Sequence, residues 1–403
     1  MPLGKIFNKI LAMEVLDRYL SPQIMSDLEE KMVFIGGPRQ VGKTTLGREI
    51  IGKKFKNYDY LNWDNRFDRK RILDSKYQGD AKILIFDEIH KFPQWKNFIK
   101  GEYDTLKHRY KFLITGSARL DLYRKGSDSL AGRYFYYRLH PFSLAEKAGI
   151  TKKFDLFQDI VTYASNFYSD FEVLLKFGGF PEVLLKQSER FLRRWHNHKV
   201  ERLFREDIRD IFQIKEAVKM QILADILAEK VGSLFSINSL VQDLGTSFKA
   251  IRNWIEILES FYYCFRIYPY SKNILYSLKK MPKLYLWDWS EVEEEANRFE
   301  NIIASHLLKF VHFLYDVEGY RASLYYLRDS SKKEVDFLIT SNSKPWFAVE
   351  VKLSDTNISK NLLYFQRKLN IPFVYQVVKQ KHIDVYKHPV RILSADKFLL
   401  NLI

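Results

Sequence analysis

Gly37-Pro38-Arg39-Gln40-Val41-Gly42-Lys43-Thr44-Thr45 is the stretch on which the reading of this chain turns. It lies between an apolar run, Met32–Ile35, that reads as a strand and a segment, Thr45–Ile50, that reads as the start of a helix. The spacing is G-x-x-x-x-G-K-[ST]. Two glycines let the backbone bend so that successive N–H groups point inward at phosphate oxygens, and the helix that follows adds its positive dipole end. Lys43 supplies a compact charge for β- and γ-phosphates, and the Thr44 hydroxyl can reach Mg²⁺. The stretch predicts a nucleotide-phosphate site at residues 37–45.

A second segment belongs with it. Ile83-Leu84-Ile85-Phe86 is continuously apolar, as in a strand buried on both faces, and it delivers Asp87-Glu88 at its carboxyl end about 45 residues after the loop. Ligands of open α/β sheets bind at those ends. Asp87 is the candidate Mg²⁺ ligand and Glu88 the candidate general base for an attacking water. A third strand, Lys111–Ile114, runs into Thr115-Gly116-Ser117, whose hydroxyls could sense a γ-phosphate or form a plain turn. Ser129-Leu130-Ala131-Gly132-Arg133 precedes the aromatic strand Tyr134–Tyr137. Arg133 is either a surface arginine or a charge-neutralising finger, the latter often supplied by a neighbouring subunit.

These motifs resemble a large prokaryotic family of AAA-type ATPases. Its C-terminal domain is of uncharacterised function and has a restriction-endonuclease-like core. Pro93-Gln94-Trp95 and Gly178-Gly179-Phe180-Pro181-Glu182 also look like that family, and the resemblance covers nearly the whole chain. It implies ATP and Mg²⁺ as cofactors, with Lys43 and Thr44 on phosphate and metal, Asp87 on Mg²⁺ and Glu88 as base. It further implies Thr115 or Ser117 as sensor and Arg133 as a finger acting between subunits of a homo-oligomer.

Length and composition fit several domains. The chain has 403 residues, 46% of them hydrophobic, which is ample for more than one core. Its single cysteine, Cys264, excludes an internal disulfide and any multi-cysteine metal site, as expected of a reducing cytoplasm. The N-terminus lacks the apolar core of a signal peptide, and no run approaches the roughly 18 apolar residues of a membrane span. A formal net charge of +16 favours polyanionic partners, with general solubility as the alternative. The resulting expectation is a cytoplasmic α/β protein with no membrane partner.

Four segments follow: an AAA-type P-loop core with a parallel sheet at 1–140, a helical lid at 141–235, a winged helix at 236–290 and a nuclease-like α/β domain at 291–403. In the lid, Glu172–Leu185 and Phe191–Gln213 read as helices. Arg190, Arg194, His198, Arg202, Arg205 and Arg209 recur along the second at three- and four-residue spacing. Interleaved acids make a salt-bridged solvated face as good a reading as a phosphate-tracking stripe.

Ser236–Ser260 carries a helix-turn-helix pattern broken at Gly245-Thr246, and Phe261–Tyr270 and Lys283–Trp289 would be the wing strands. Ser247, Lys249, Arg252 and Asn253 would face DNA, whether duplex, forked or junction. A protein-contact role for the same module is the other reading.

In the last segment, Phe299–Phe310 reads as a helix carrying Glu300. Leu324–Arg328, Val335–Thr340 and Trp346–Lys352 read as strands. Alternation puts Glu350 and Lys352 on one face, and Asp336 on the neighbouring strand can join them. This Asp336…Glu350-x-Lys352 pattern, with Gln366 in the helix Tyr364–Leu369, resembles restriction-endonuclease-like enzymes. It makes Glu300, Asp336, Glu350 and Lys352 a candidate nuclease metal site. A structural charge network, or a domain that binds DNA without cutting it, stays open beside that. The functions implied are ATP hydrolysis coupled to DNA binding or remodelling, or an ATP-gated assembly switch that contacts protein partners.

Overall fold

Five short strands form the first sheet: β1 (Met32–Gly36), β2 (Tyr58–Asn62), β3 (Ile83–Asp87), β4 (Lys111–Thr115) and β5 (Tyr134–Arg138). All are parallel, in the order β2-β3-β4-β1-β5. β1 and β3 are buried along their whole length, as their uninterrupted apolar sequences require. The helix Trp95–Leu106 (α1) turns Trp95 and Ile99 into the same core, where Phe34 stacks on Tyr134 at 4.5 Å.

The computed structural model describes residues 16–116, 130–161, 166–208, 217–271, 273, 277–278 and 280–403, apart from the side chains of Glu206 and Asp207. They form two compact units. One holds the described residues up to Gly36 with Gly42–Leu139, and the other holds Gly37–Val41 with His140–Ile403.

In the second unit the expected helix over 172–185 is two helices, Tyr168–Phe177 (α2) and Pro181–Lys186. Gly178 breaks them. Its φ is +75°, and a Cβ there would stand 2.8 Å from Asp288 Oδ1. Pro181 then supplies a fixed φ at the first helical position of the next segment. Glu189–Arg202 (α3) starts at the Ser188 cap, whose side chain accepts from Phe191 N–H, and it passes into a π-type turn over Leu203–Ile208. The rest of the expected helix, with Arg209, lies outside the described residues. On α3, Arg190, Arg194 and His198 are exposed, whereas Arg205 pairs with Glu201 at 2.8 Å.

Ile237–Leu244 (α4) and Phe248–Ser260 (α5) make the helix-turn-helix, with Ser247 capping α5 by accepting from Ala250 N–H. β6 (Cys264–Ile267) and β7 (Lys283–Leu286) form an antiparallel ribbon, shorter than the sequence reading. Then come the helix Glu295–Asp316 (α6), three antiparallel strands, β8 (Ala322–Arg328), β9 (Glu334–Ser341) and β10 (Lys344–Lys352), and the helix Lys360–Leu369 (α7). β11 (Phe373–Val378) lies parallel to β10. β12 (Asp384–Lys387) and β13 (Val390–Ser394) complete a mixed sheet of order β12-β13-β11-β10-β9-β8. No helix of the described residues is long and apolar enough to cross a membrane.

Candidate functional site

Parallel register places Asp87 directly opposite Thr115 and opposite Asn62 at the carboxyl edge of the first sheet. Asp87 is buried, and three hydroxyls donate to it: Thr115 Oγ1 to Oδ1 at 2.6 Å, Thr44 Oγ1 to Oδ2 at 2.8 Å and Tyr60 Oη to Oδ2 at 2.7 Å. The motif residues Thr44, Asp87 and Thr115 are thus brought together within one hydrogen-bond shell. Gly42 caps the helix that starts at Lys43 with φ +98°, a conformation that costs a Cβ-bearing residue free energy. Gly37 at φ +142° and Gln40 at φ +62° share the unusual backbone of the loop. Lys43 is 7% exposed. The helix runs only Lys43–Thr45 before widening into a π-helical segment, Leu46–Gly52.

Glu88 sits in a left-handed conformation, φ +57° and ψ +17°, fixed by its N–H donating to Thr115 C=O at 3.0 Å. Its carboxylate lies 3.2 Å from Lys91 Nζ and 3.6 Å from His90 Nε2. Such strain in a non-glycine residue is common where a side chain must be aimed.

Tyr60 was missed by sequence reasoning. It lies one strand away from Asp87, and its only local signal is a tyrosine near the carboxyl end of β2. Besides donating to Asp87, it accepts from Asn62 Nδ2 at 3.2 Å and lies 5.3 Å under Arg48. Burial, then the Asp87 charge, pushes its phenol well above the ordinary range.

Arg133 stands before β5 at the amino-terminal edge of the sheet, since Tyr134 pairs with Met32. Its guanidinium grips the Asp104 carboxylate at 2.9 and 3.1 Å. Strands of five residues separate it from the Asp87 edge by about 17 Å. It therefore cannot serve the phosphate site of its own copy. Ser117 lies outside the described residues.

Residues Ser247, Lys249, Arg252 and Asn253 are exposed on α5, with Arg252 paired to Glu256 at 3.1 Å.

Of the C-terminal residues, Glu300 and Asp336 meet around a cation that sequence reasoning did not assign. Lys283 Nζ, 3% exposed, lies 2.8 Å from Glu334 Oε1, 3.3 Å from Glu300 Oε1 and 3.3 Å from Asp336 Oδ1. Tyr285 Oη donates to Glu300 at 2.6 Å, and Val351 N–H donates to Asp336 Oδ2 at 2.8 Å. Lys352 Nζ and Ser359 Oγ both donate to Glu350 Oε1, at 2.8 and 3.2 Å, while Oε2 is buried with no partner. Gln366 is instead turned to Ile371 C=O at 3.4 Å. Burial and then the Asp336 charge raise both Glu300 and Glu350 to about 7. Burial opposes the charge on Lys283, but Tyr285 and the surrounding acids outweigh it and hold the ammonium well above its usual range.

Glu300, Asp336 and Glu350 do not bring three ligand oxygens within reach of one divalent ion. Among the described residues, the one trio of acid or histidine ligand atoms within 4.8 Å of one another is His196, Asp288 and Glu291. That trio is itself filled by Lys199 Nζ, 3.1 Å from Asp288 and 2.5 Å from Glu291.

Residues 29–148 match a family model described as an AAA domain. The first unit has the fold of an AAA-type P-loop ATPase. Residues 168–292 and 296–395 match two models described as domains of unknown function, DUF8612 and DUF4143. The chain is 25% identical over 383 residues to an uncharacterized protein of Methanocaldococcus jannaschii, spanning 86% of this chain and 81% of that one. It is also 25% identical over 380 residues to an uncharacterized protein of Mycobacterium tuberculosis, spanning 91% and 81%. Among solved structures, the Thermotoga maritima RuvB Holliday junction branch migration motor aligns at 16% identity and a TM-score of 0.30, over 66% of this chain and 90% of that one.

Proposed function

We propose that the chain hydrolyses ATP and couples that to binding or remodelling DNA, as a cytoplasmic homo-oligomer in which Arg133 serves the nucleotide of a neighbouring copy. The observation that carries the hydrolase reading is the Asp87 carboxylate held between the Thr44 and Thr115 hydroxyls at 2.8 and 2.6 Å. Mg²⁺, when bound, neutralises charge on the β- and γ-phosphates. Lys43 adds a fixed charge at the phosphates, and Thr44 with Asp87 offers the oxygen ligands. Thr115 keeps the Asp87 carboxylate oriented. Glu88 accepts the proton of the attacking water once its carboxylate leaves Lys91.

The position of Arg133 at the far edge of the sheet supports its supply between copies. Replacing Arg133 by Ala is expected to abolish ATP hydrolysis, read as phosphate release, while nucleotide affinity stays intact. Lys43→Ala is expected to lose both. An Arg133→Ala protein that hydrolyses normally would refute the shared site, and one that loses nucleotide binding would assign Arg133 a structural role.

The net charge of +16 and the exposed Ser247, Lys249, Arg252 and Asn253 of α5 support the DNA reading, with α4 to β7 acting as a winged helix. Turnover stimulated by forked or junction DNA, falling steeply with salt, is the expected result.

A second reading, an ATP-gated switch with a protein partner, is favoured by a specific feature of the same face. Phe248, the first residue of α5, is 49% exposed and lines a groove with Phe235, Ile237, Arg252 and Met281. Turnover indifferent to DNA would favour this reading.

A further inference from the structure

The acid cluster of the C-terminal sheet is arranged for a cation of a different kind from a metal. An ammonium carries three protons, and Lys283 Nζ has three carboxylate acceptors within 3.3 Å. Oxygens bound to one divalent ion at about 2.1–2.4 Å can lie no more than about 4.8 Å apart. Here no three acids of the cluster meet that limit, whereas they do meet the longer reach of an N–H donor.

We propose that the Lys283 ammonium, held by Glu300, Glu334 and Asp336, takes the place of a divalent ion, so that this centre is metal-free and does not cleave phosphodiesters.

Three observations carry it. First, Lys283 comes from β7, outside the β8–β10 meander that supplies Glu334 and Asp336, and it is 3% exposed at the point where those two side chains and Glu300 converge. A lysine placed there by chance would carry a large desolvation cost; with three acids it is balanced. Second, Glu350 Oε2 is left without a partner, but each of Glu300, Asp336 and Glu350 already has an oxygen in use. Glu300 Oε1 takes both Tyr285 and Lys283, Asp336 Oδ2 takes Val351 N–H, and Glu350 Oε1 takes Lys352 and Ser359. The backbone at Gly232 closes the other side, since a Cβ there would stand 3.4 Å from the Glu300 carboxylate. Third, the charges come within one of closing without a metal. Glu300, Glu334, Asp336 and Glu350 face Lys283, Lys352 and Arg328, which bonds Glu334 at 2.5 Å. Four carboxyls against three cations leave a single negative charge, half of what a divalent ion carries.

The test uses the nucleotide-free, full-length chain with Asp87→Asn throughout, so that the first unit contributes no metal site. Mn²⁺ binding is followed by electron paramagnetic resonance and by the melting temperature. With Lys283 present, no Mn²⁺ is expected at the cluster. Lys283→Met and Lys283→Gln are each expected to gain one site, bound about tenfold or more tighter than any residual binding, because a unit positive charge has left the centre. Adding Asp336→Asn should remove the gain. A Lys283 variant that folds only when Mn²⁺ is supplied supports the proposal equally. Mn²⁺ held by the chain that keeps Lys283, and released by Asp336→Asn, overturns it. Lys283 variants that fold yet gain no site, or that Mn²⁺ does not rescue, overturn it as well. These readings are independent of ATP turnover, so failure here leaves the hydrolase proposal standing.

Discussion

Asp87 and Asp336 are both strand aspartates at the heart of an acidic site, and the two are satisfied in opposite ways. Asp87 takes hydrogen bonds from the hydroxyls of Thr44, Tyr60 and Thr115, neutral donors that orient the carboxylate without cancelling its charge. Asp336 takes the Lys283 ammonium and a backbone N–H, so its charge is met from within the chain. A carboxylate held by hydroxyls is pre-aimed and still seeks a cation. One held by an ammonium has found it. The number of acids in a cluster is therefore a poor guide to metal use, and the kind of donor around them is a better one.

The largest expected effect separates the two aspartates. Asp87→Asn should lower ATP hydrolysis on the order of 100-fold or more, whereas Asp336→Asn should leave it unchanged. Equal losses in both, measured as phosphate release at saturating Mg²⁺, would dissolve the contrast.

A smaller effect probes the hydroxyl cage. Tyr60→Phe deletes one donor to Asp87 while keeping the ring, and the Mg²⁺ concentration for half-maximal hydrolysis should rise roughly 10-fold with kcat largely retained. A purely structural Tyr60 would lower the melting temperature and leave the Mg²⁺ dependence in place.

The smallest effect is a pH dependence in the second centre. Glu300 and Glu350 rise in the folded state from the ordinary 4.5 to about 7, through burial and the Asp336 charge. Groups raised in this way bind more protons folded than unfolded. Their stabilising contribution is complete below about 4.5 and is lost as pH rises through about 7. Glu350→Gln removes one such titration. Relative to the natural chain, its melting temperature should gain on the order of 2–4 °C between pH 5 and pH 8. A gap that does not change with pH would mean that Glu350 is ionised throughout.

The first centre was largely legible in the sequence because its parts are local. The loop 37–45 has fixed spacing, and Asp87 and Thr115 each end an uninterrupted apolar strand. Parallel register then brings those ends together with no further information needed. Tyr60 escaped because its role depends on β2 lying beside β3, which no motif announces. The helix expected over 172–185 overlooked the glycine pair at 178–179, where Asp288 packs against a backbone that lacks a side chain. In the second centre the acids and Lys352 were visible as a strand pattern, but Lys283 was counted as part of a wing strand. A lysine opening the otherwise apolar run Leu284-Tyr285-Leu286-Trp287 was the available signal. A charge in such a strand has to be met by an acid from elsewhere in the fold.

Because the cation of the C-terminal sheet is written into the chain, its inheritance is genetic and not environmental. A metal can be lost and regained with the medium, but Lys283 can change only by mutation, and the change would strand Glu334, Asp336 and Glu300 together. Related chains that carry an apolar residue at this position should then have shed one of those acids in the same lineage. Position 283 and the β9 acids should thus drift as a linked set, while the loop at 37–45 evolves under a separate constraint.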